Sequence, residues 1–174
     1  MVTGAWRGPG FQVFDAHPRC AGDARHQITS AIAAHNCPVN PDDAATCITE
    51  LFANAIIHGP AGGRVLVGYC LWREGARLVV CDAGGPGTPH ITHRGPHDEG
   101  GRGLRLVESL TAKWGYFRPP GAQAVWCDFG EPLRAEPGDA WAWLHLVLSV
   151  CSLAATDRRE PSVHPAGLAA AGAR

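Results

Sequence analysis

ELFANAIIHG, residues 50–59, sets Glu50 and Asn54 four positions apart in an otherwise apolar run. The preceding residues read as one long helix. Asn40 can cap it, Pro41 suits its first position, and Asp42 and Asp43 face the positive end of its dipole. Ala44, Ile48, Leu51, Phe52, Ala55 and Ile56 recur at helical spacing, and Gly59-Pro60 stops the run. On that helix Glu50 and Asn54 share one face about a turn apart. A carboxylate and an amide at the edge of a core each cost free energy unless a partner satisfies them. An acid there can accept a proton, and an amide oxygen is a hard ligand suited to Mg²⁺. The plainer alternative is a solvent-facing helix edge.

Two further stretches carry chemistry. In VVCDAGGPGTP, residues 79–89, Asp82 ends a β-rich run and glycines follow at once. A carboxylate there, with backbone free to approach a ligand, suits hydrogen bonding to an exocyclic amino group such as that of adenine. An ordinary Asp-Gly turn is the alternative. In EGGRGLRLVESL, residues 99–110, glycines run into a helix start with Arg102 among them. Free amides at a helix N-terminus plus a guanidinium make a phosphate site, although neither GxxxxGK[ST] nor GxGxxG is present. A flexible linker with a solvated arginine competes with that reading.

The rest of the chain arranges itself around these pieces. Residues 11–14 suggest a first strand and residues 23–35 a helix. Residues 64–70 and 76–81 form a hairpin signal, residues 104–114 a helix, and residues 116–118 and 124–129 two more strands. Between residues 82 and 103 lies a long Gly/Pro-rich loop of the sort that closes over ligands. His90, His93 and His97 in it could bind a transition metal, but no second rigid ligand pair accompanies them, so a solvated lid is the preferred reading. His58, at the end of the long helix, reads as a favourable C-terminal charge or a core-edge residue rather than a catalyst.

Composition narrows the class. The 174 residues fit one domain plus an extension, and 45 % apolar content is enough for a core. A net charge of −1 implies no bulk attraction to nucleic acid or anionic membrane. Seven scattered cysteines without CxxC, several within apolar runs, point to free thiols in a reducing compartment, hence the cytoplasm. No signal pattern opens the chain and no apolar run reaches the length of a membrane span. Beyond residue 130 the composition shifts. Residues 131–140 read as a linker, and residues 141–174 as a partly helical C-terminal extension whose Ala/Gly tail is expected to be disordered.

Taken in order, an E-x-x-x-N helix, a strand ending D-x-G-G and a Gly-rich loop opening a helix as G-x-G-L resemble the N, G1 and G2 boxes of the Bergerat-fold (GHKL) ATP-binding superfamily. The likeness spans residues 11–130. Within the superfamily, ELFANAIIHG, GGRGL-x-LVESL, KWG and a VW-containing last strand look like the small bacterial anti-sigma-factor serine/threonine kinases. The resemblance implies an α/β two-layer sandwich, with a mixed, mostly antiparallel sheet and helices packed on one face. It implies ATP and Mg²⁺ as cofactors, Glu50 as general base and Asn54 as metal ligand. Asp82 would read the adenine amino group beside Gly84 and Gly87, and Gly101, Arg102, Gly103 and Leu104 would form the phosphate end. The implied partners are a sigma factor and a small anti-anti-sigma (STAS-type) protein whose serine is phosphorylated, and relatives often dimerise.

Two departures bear on that expectation. The family's last strand carries a threonine before its VW pair, and Ala124 stands there, with Gln123 where lysine is common. Losing that hydroxyl is expected to cost ~0.5–1.5 kcal/mol of ATP binding. It also keeps a second reading open, that of a non-catalytic, nucleotide-gated module which sequesters a transcription regulator. The other departure is DAGGPG, which sets its last glycine one position later than D-x-G-x-G.

Overall fold

The computed structural model describes residues 9–85, 102–118 and 121–130. The long helix forms as its ends dictate. It is α2, Pro41–His58, and Asn40 accepts a hydrogen bond from the Asp42 amide at 2.9 Å, satisfying one of the donors a helix start leaves open. At its far end the Gly59 amide bonds back to the Ala55 carbonyl. Gly59 is extended, and glycine is required there by proximity: a methyl group at this position would strike the Ala55 carbonyl and lie 3.5 Å from Asp82 Oδ1.

Around α2 stand α1 (Ala21–Ala34) and α3 (Arg102–Leu110), with a 3-10 turn at Pro18–Cys20 leading into α1. The strands are β1 (Pro9–Asp15), β2 (Arg64–Trp72), β3 (Gly75–Asp82), β4 (Lys113–Phe117) and β5 (Gln123–Gly130). They form a sheet in the order β1-β2-β3-β5-β4, antiparallel at every pair. The turn between β2 and β3 is two residues long, with Trp72 opposite Gly75. The helical reading of residues 104–114 runs too far. Helix α3 ends at Leu110, and Lys113 and Trp114 belong to β4, where Trp114 pairs with Cys127 and supports the main core.

Strand alternation sorts side chains onto two faces. On the helix side, Phe14, Val65, Val67, Leu71, Leu78, Val80, Val125 and Cys127 pack with Ile28, Ile48, Leu51, Phe52, Leu104 and Val107 in one core. On the other side Leu66, Cys70, Val79, Cys81, Ala122 and Ala124 form a second buried cluster to which no described helix contributes. There too Arg77 grips Asp128 with two hydrogen bonds, Nε–Oδ1 at 2.6 Å and Nη2–Oδ2 at 2.7 Å, and lies 4.4 Å from the Trp126 ring. The two-layer arrangement of helices on one sheet face is therefore as expected.

Cys20, Cys37, Cys47, Cys70 and Cys127 are free thiols, and burial pushes the Cys70 thiol up to about 12. Cys81, by contrast, is disulfide-bonded. This corrects the expectation of free thiols throughout, since scattered spacing says nothing of which cysteines meet in space. No described helix is long and apolar enough to cross a membrane.

Candidate nucleotide site

Helix α2 sets the axis of the site. Glu50 and Asn54 lie on one of its faces, and Glu50 meets the start of α3. The contact is close: a methyl group at Gly103 would sit 2.5 Å from Glu50 Oε2, so only a glycine lets the carboxylate and the first turn of α3 meet. Buried Asn54 Nδ2 makes no hydrogen bond among the described residues. An orphaned amide in a half-buried setting fits a site that receives a polar ligand, and a turn of the amide exposes its oxygen at the same place. That amide oxygen is a hard donor, which suits Mg²⁺ rather than a soft metal.

Asp82 stands at the C-terminal end of the helix, beside Gly59. From Glu50 to Gly59 the rise along α2 is about 13 Å. The Asp82 carboxyl is 7 % exposed, and its Oδ1 accepts the Gly84 amide at 2.6 Å. Gly84 takes φ +76°, a left-handed conformation that turns its amide back onto the carboxylate. Burial raises the Asp82 pKa, and the Gly84 amide, His58 and Arg118 partly offset it. His58 thus serves as more than a helix-end charge, since its field reaches this carboxylate.

Of the residues singled out from sequence, Glu50, Asn54, Asp82, Gly84, Arg102, Gly103 and Leu104 are described. Glu50 and Gly103 meet midway along α2, Asn54 follows one turn on, and Asp82 and Gly84 stand at the helix end. Arg102 opens α3 on the surface, and Leu104 is buried in the core, where it anchors that helix. Gly87, Gly101, the remainder of the Gly/Pro loop and His90, His93 and His97 lie outside the described residues. Among the described residues no group of His, Cys, Asp and Glu could hold a metal on its own.

The β3–β5 register corrects the reading of Ala124. It pairs with Cys81 and is fully buried in the cluster on the face away from the helices, so a threonine there would not look into the site. The residue opposite Asp82 is Gln123, buried at 5 % exposure. Gln123 Oε1 accepts two hydrogen bonds from Arg118, at 3.0 Å from Nε and 2.7 Å from Nη2, and Arg118 Nη2 also donates to the Gly85 carbonyl at 3.2 Å. Arg118 was missed from sequence, and Gln123 was noted only as a departure. Their place follows from strand parity, which is readable once the register is known.

Comparison with known proteins supports the same architecture. The family described as histidine kinase-like ATPase domain matches residues 14–127. No curated protein matches the chain. Among solved structures, the crystal structure of the RsbU and RsbW domains of Rv1364c from Mycobacterium tuberculosis is similar, with TM-score 0.52 and 20 % identity. The likeness covers 74 % of this chain but 34 % of that one, so this chain spans about a third of its length. With a matched segment reaching from β1 into β5, the chain belongs to the histidine kinase-like ATPase domain family.

Proposed function

We propose that the cleft along α2 binds Mg-ATP and that the chain is a protein serine/threonine kinase acting on a small anti-anti-sigma partner. The observation that carries the reading is the order of groups along one helix: a carboxylate against the start of α3, an orphaned amide one turn on, and a buried carboxylate at the helix end. In this reading the base end lies at Asp82 and Gly84 and the phosphate end at Arg102, Gly103 and Leu104, to which the motif resemblance adds Gly87 and Gly101 respectively. There the amides of α3's first turn and the Arg102 guanidinium offer donors to phosphate oxygens.

The Asn54 amide oxygen would hold magnesium, which would supply charge neutralisation at the phosphates. Glu50 takes the proton of the attacking hydroxyl, whose oxygen forms a bond to the terminal phosphorus as the bond to the bridging oxygen breaks and ADP leaves. The choice of a serine hydroxyl over water rests on the motif resemblance to anti-sigma-factor kinases, as does a sigma factor as the second partner. Residues 11–130 form the working domain, with 131–140 as a linker to the C-terminal extension. Of the two departures that favoured a non-catalytic module, Ala124 faces away from the site, while Gln123 stands opposite Asp82.

Calorimetry with Mg-ATP on wild type, Asp82→Ala and Asn54→Ala tests the site. Binding by wild type and a loss of about tenfold or more in each variant is expected, as for removal of a charge-assisted contact. Absence of binding by wild type overturns the reading, and equal binding by all three overturns the residue assignments. Glu50→Gln is expected to keep nucleotide binding and to abolish phosphate transfer to the partner's serine.

A further inference from the structure

We infer that Gln123 is a specificity-determining residue that donates a hydrogen bond to the ring nitrogen beside the exocyclic amino group of the bound purine, and that Arg118 is its positioning residue. The inference rests on the nucleotide reading above and adds to it the selection of the base edge. Asp82 and Gln123 are the last pair of the β3–β5 ladder and stand directly opposite one another. Their strand neighbours Val80 and Val125 both lie in the helix-side core, so by alternation both side chains lie on the α2 side of the sheet. Cβ atoms of such a pair are about 5 Å apart, close enough for one flat ring edge to meet both side chains.

The two groups are polarised in opposite senses. Asp82 Oδ1 is taken by the Gly84 amide, which leaves Oδ2 as an acceptor. Gln123 Oε1 is taken by two donors of Arg118. The amide orientation is thereby fixed, since a reversed amide would set its own N–H groups against the guanidinium. What Gln123 has left to offer is a donor. An acceptor next to a donor complements an adenine edge, where an amino N–H adjoins a bare ring nitrogen. A 6-oxopurine carries the reverse pattern, with a carbonyl toward the carboxylate and a ring N–H toward the amide. In a buried site each mismatch leaves a polar group unpaired, so discrimination is strong. The bond from Arg118 to the Gly85 carbonyl ties this arrangement to the backbone that follows Asp82.

The experiment measures equilibrium binding of ATP, 1-deaza-ATP (which lacks the ring acceptor) and GTP to wild type, Gln123→Leu, Gln123→Met and Arg118→Met. Wild type is expected to prefer ATP over 1-deaza-ATP by about tenfold and over GTP by about a hundredfold or more. Either Gln123 variant should bind 1-deaza-ATP as wild type does and ATP no better, so that the ATP/1-deaza-ATP ratio falls to about one. Arg118→Met should lower the same ratio with the melting temperature of the protein followed in parallel, because an unheld amide can present either end. A purely structural role would weaken both ligands equally and leave the ratio untouched, and a retained ratio in whichever Gln123 variant folds overturns the inference. Failure of wild type to bind ATP at all overturns the underlying nucleotide reading instead, so the two failures are distinguishable.

Discussion

Asp82, the proposed reader of the base, is held at a cost to the fold. Its carboxyl is buried, and burial raises its pKa despite the Gly84 amide, His58 and Arg118. A folded-state pKa above the unfolded value of about 3.9 means that the native protein binds the extra proton more tightly than the unfolded chain. Its stabilising contribution is full below the unfolded value and is lost as pH rises through the folded one. Asp82→Asn should therefore remove a fall in stability that wild type shows on going from acid toward neutral pH, while an acceptor for the Gly84 amide remains. Denaturant midpoints at a series of pH values check this: the wild-type curve should drop and that of the Asp82→Asn variant stay flatter. The same variant should bind ATP about tenfold more weakly, since it puts an N–H where the amino group needs an acceptor. Equal pH profiles would mean that Asp82 is not the group responsible.

At the scale of elements, legibility depended on whether the signal was local. The cap at Asn40, Pro41 at the first helical position and the stop at Gly59 are local to the ends of α2, so its bounds were readable from the chain. The end of α3 was not, because Thr111 to Trp114 continue an apolar pattern while the backbone from Lys113 onward pairs with β5, a contact distant in sequence. The face of Ala124 was hidden for the same reason. A shift of one residue in strand register exchanges the two faces, and nothing within GAQAVW states its register against β3. Between α2 and α3 the informative residue is Gly103. Its replacement by alanine sets a methyl group against the flexible end of Glu50 rather than against backbone. Gly103→Ala should accordingly leave stability unchanged or raise it by up to ~1 kcal/mol, through helix propensity. Phosphate transfer should fall by at least about tenfold because the carboxylate is displaced. Melting temperature and single-turnover transfer read the two effects separately, and a loss of both together would mean that Gly103 serves folding alone.

The whole molecule divides its labour between the two faces of one sheet. The proposed nucleotide groups belong to the helix face and to the β3 and β5 ends nearest Gly59. On the opposite face the Arg77–Asp128 pair, Trp126 and the apolar cluster around Val79 serve cohesion. Asp128 is 1 % exposed, so removal of its arginine leaves a buried carboxylate without its two-bond partner, which costs ~3 kcal/mol. The guanidinium itself is partly exposed, which discounts that figure. Arg77→Leu should thus lower the melting temperature markedly. A ligand that binds only the native state adds RT ln(1 + [L]/Kd), about 2.7 kcal/mol at a hundredfold excess over Kd, whatever the starting stability. If the faces are independent, saturating Mg-ATP should stabilise Arg77→Leu by the same free energy as wild type, whereas Asp82→Asn should receive a smaller increment from the same ligand concentration. Thermal and denaturant unfolding with and without Mg-ATP measure both. A reduced increment in Arg77→Leu would show that the sheet transmits between its faces, and the site would then have to be understood as resting on the Arg77–Asp128 pair as well as on α2.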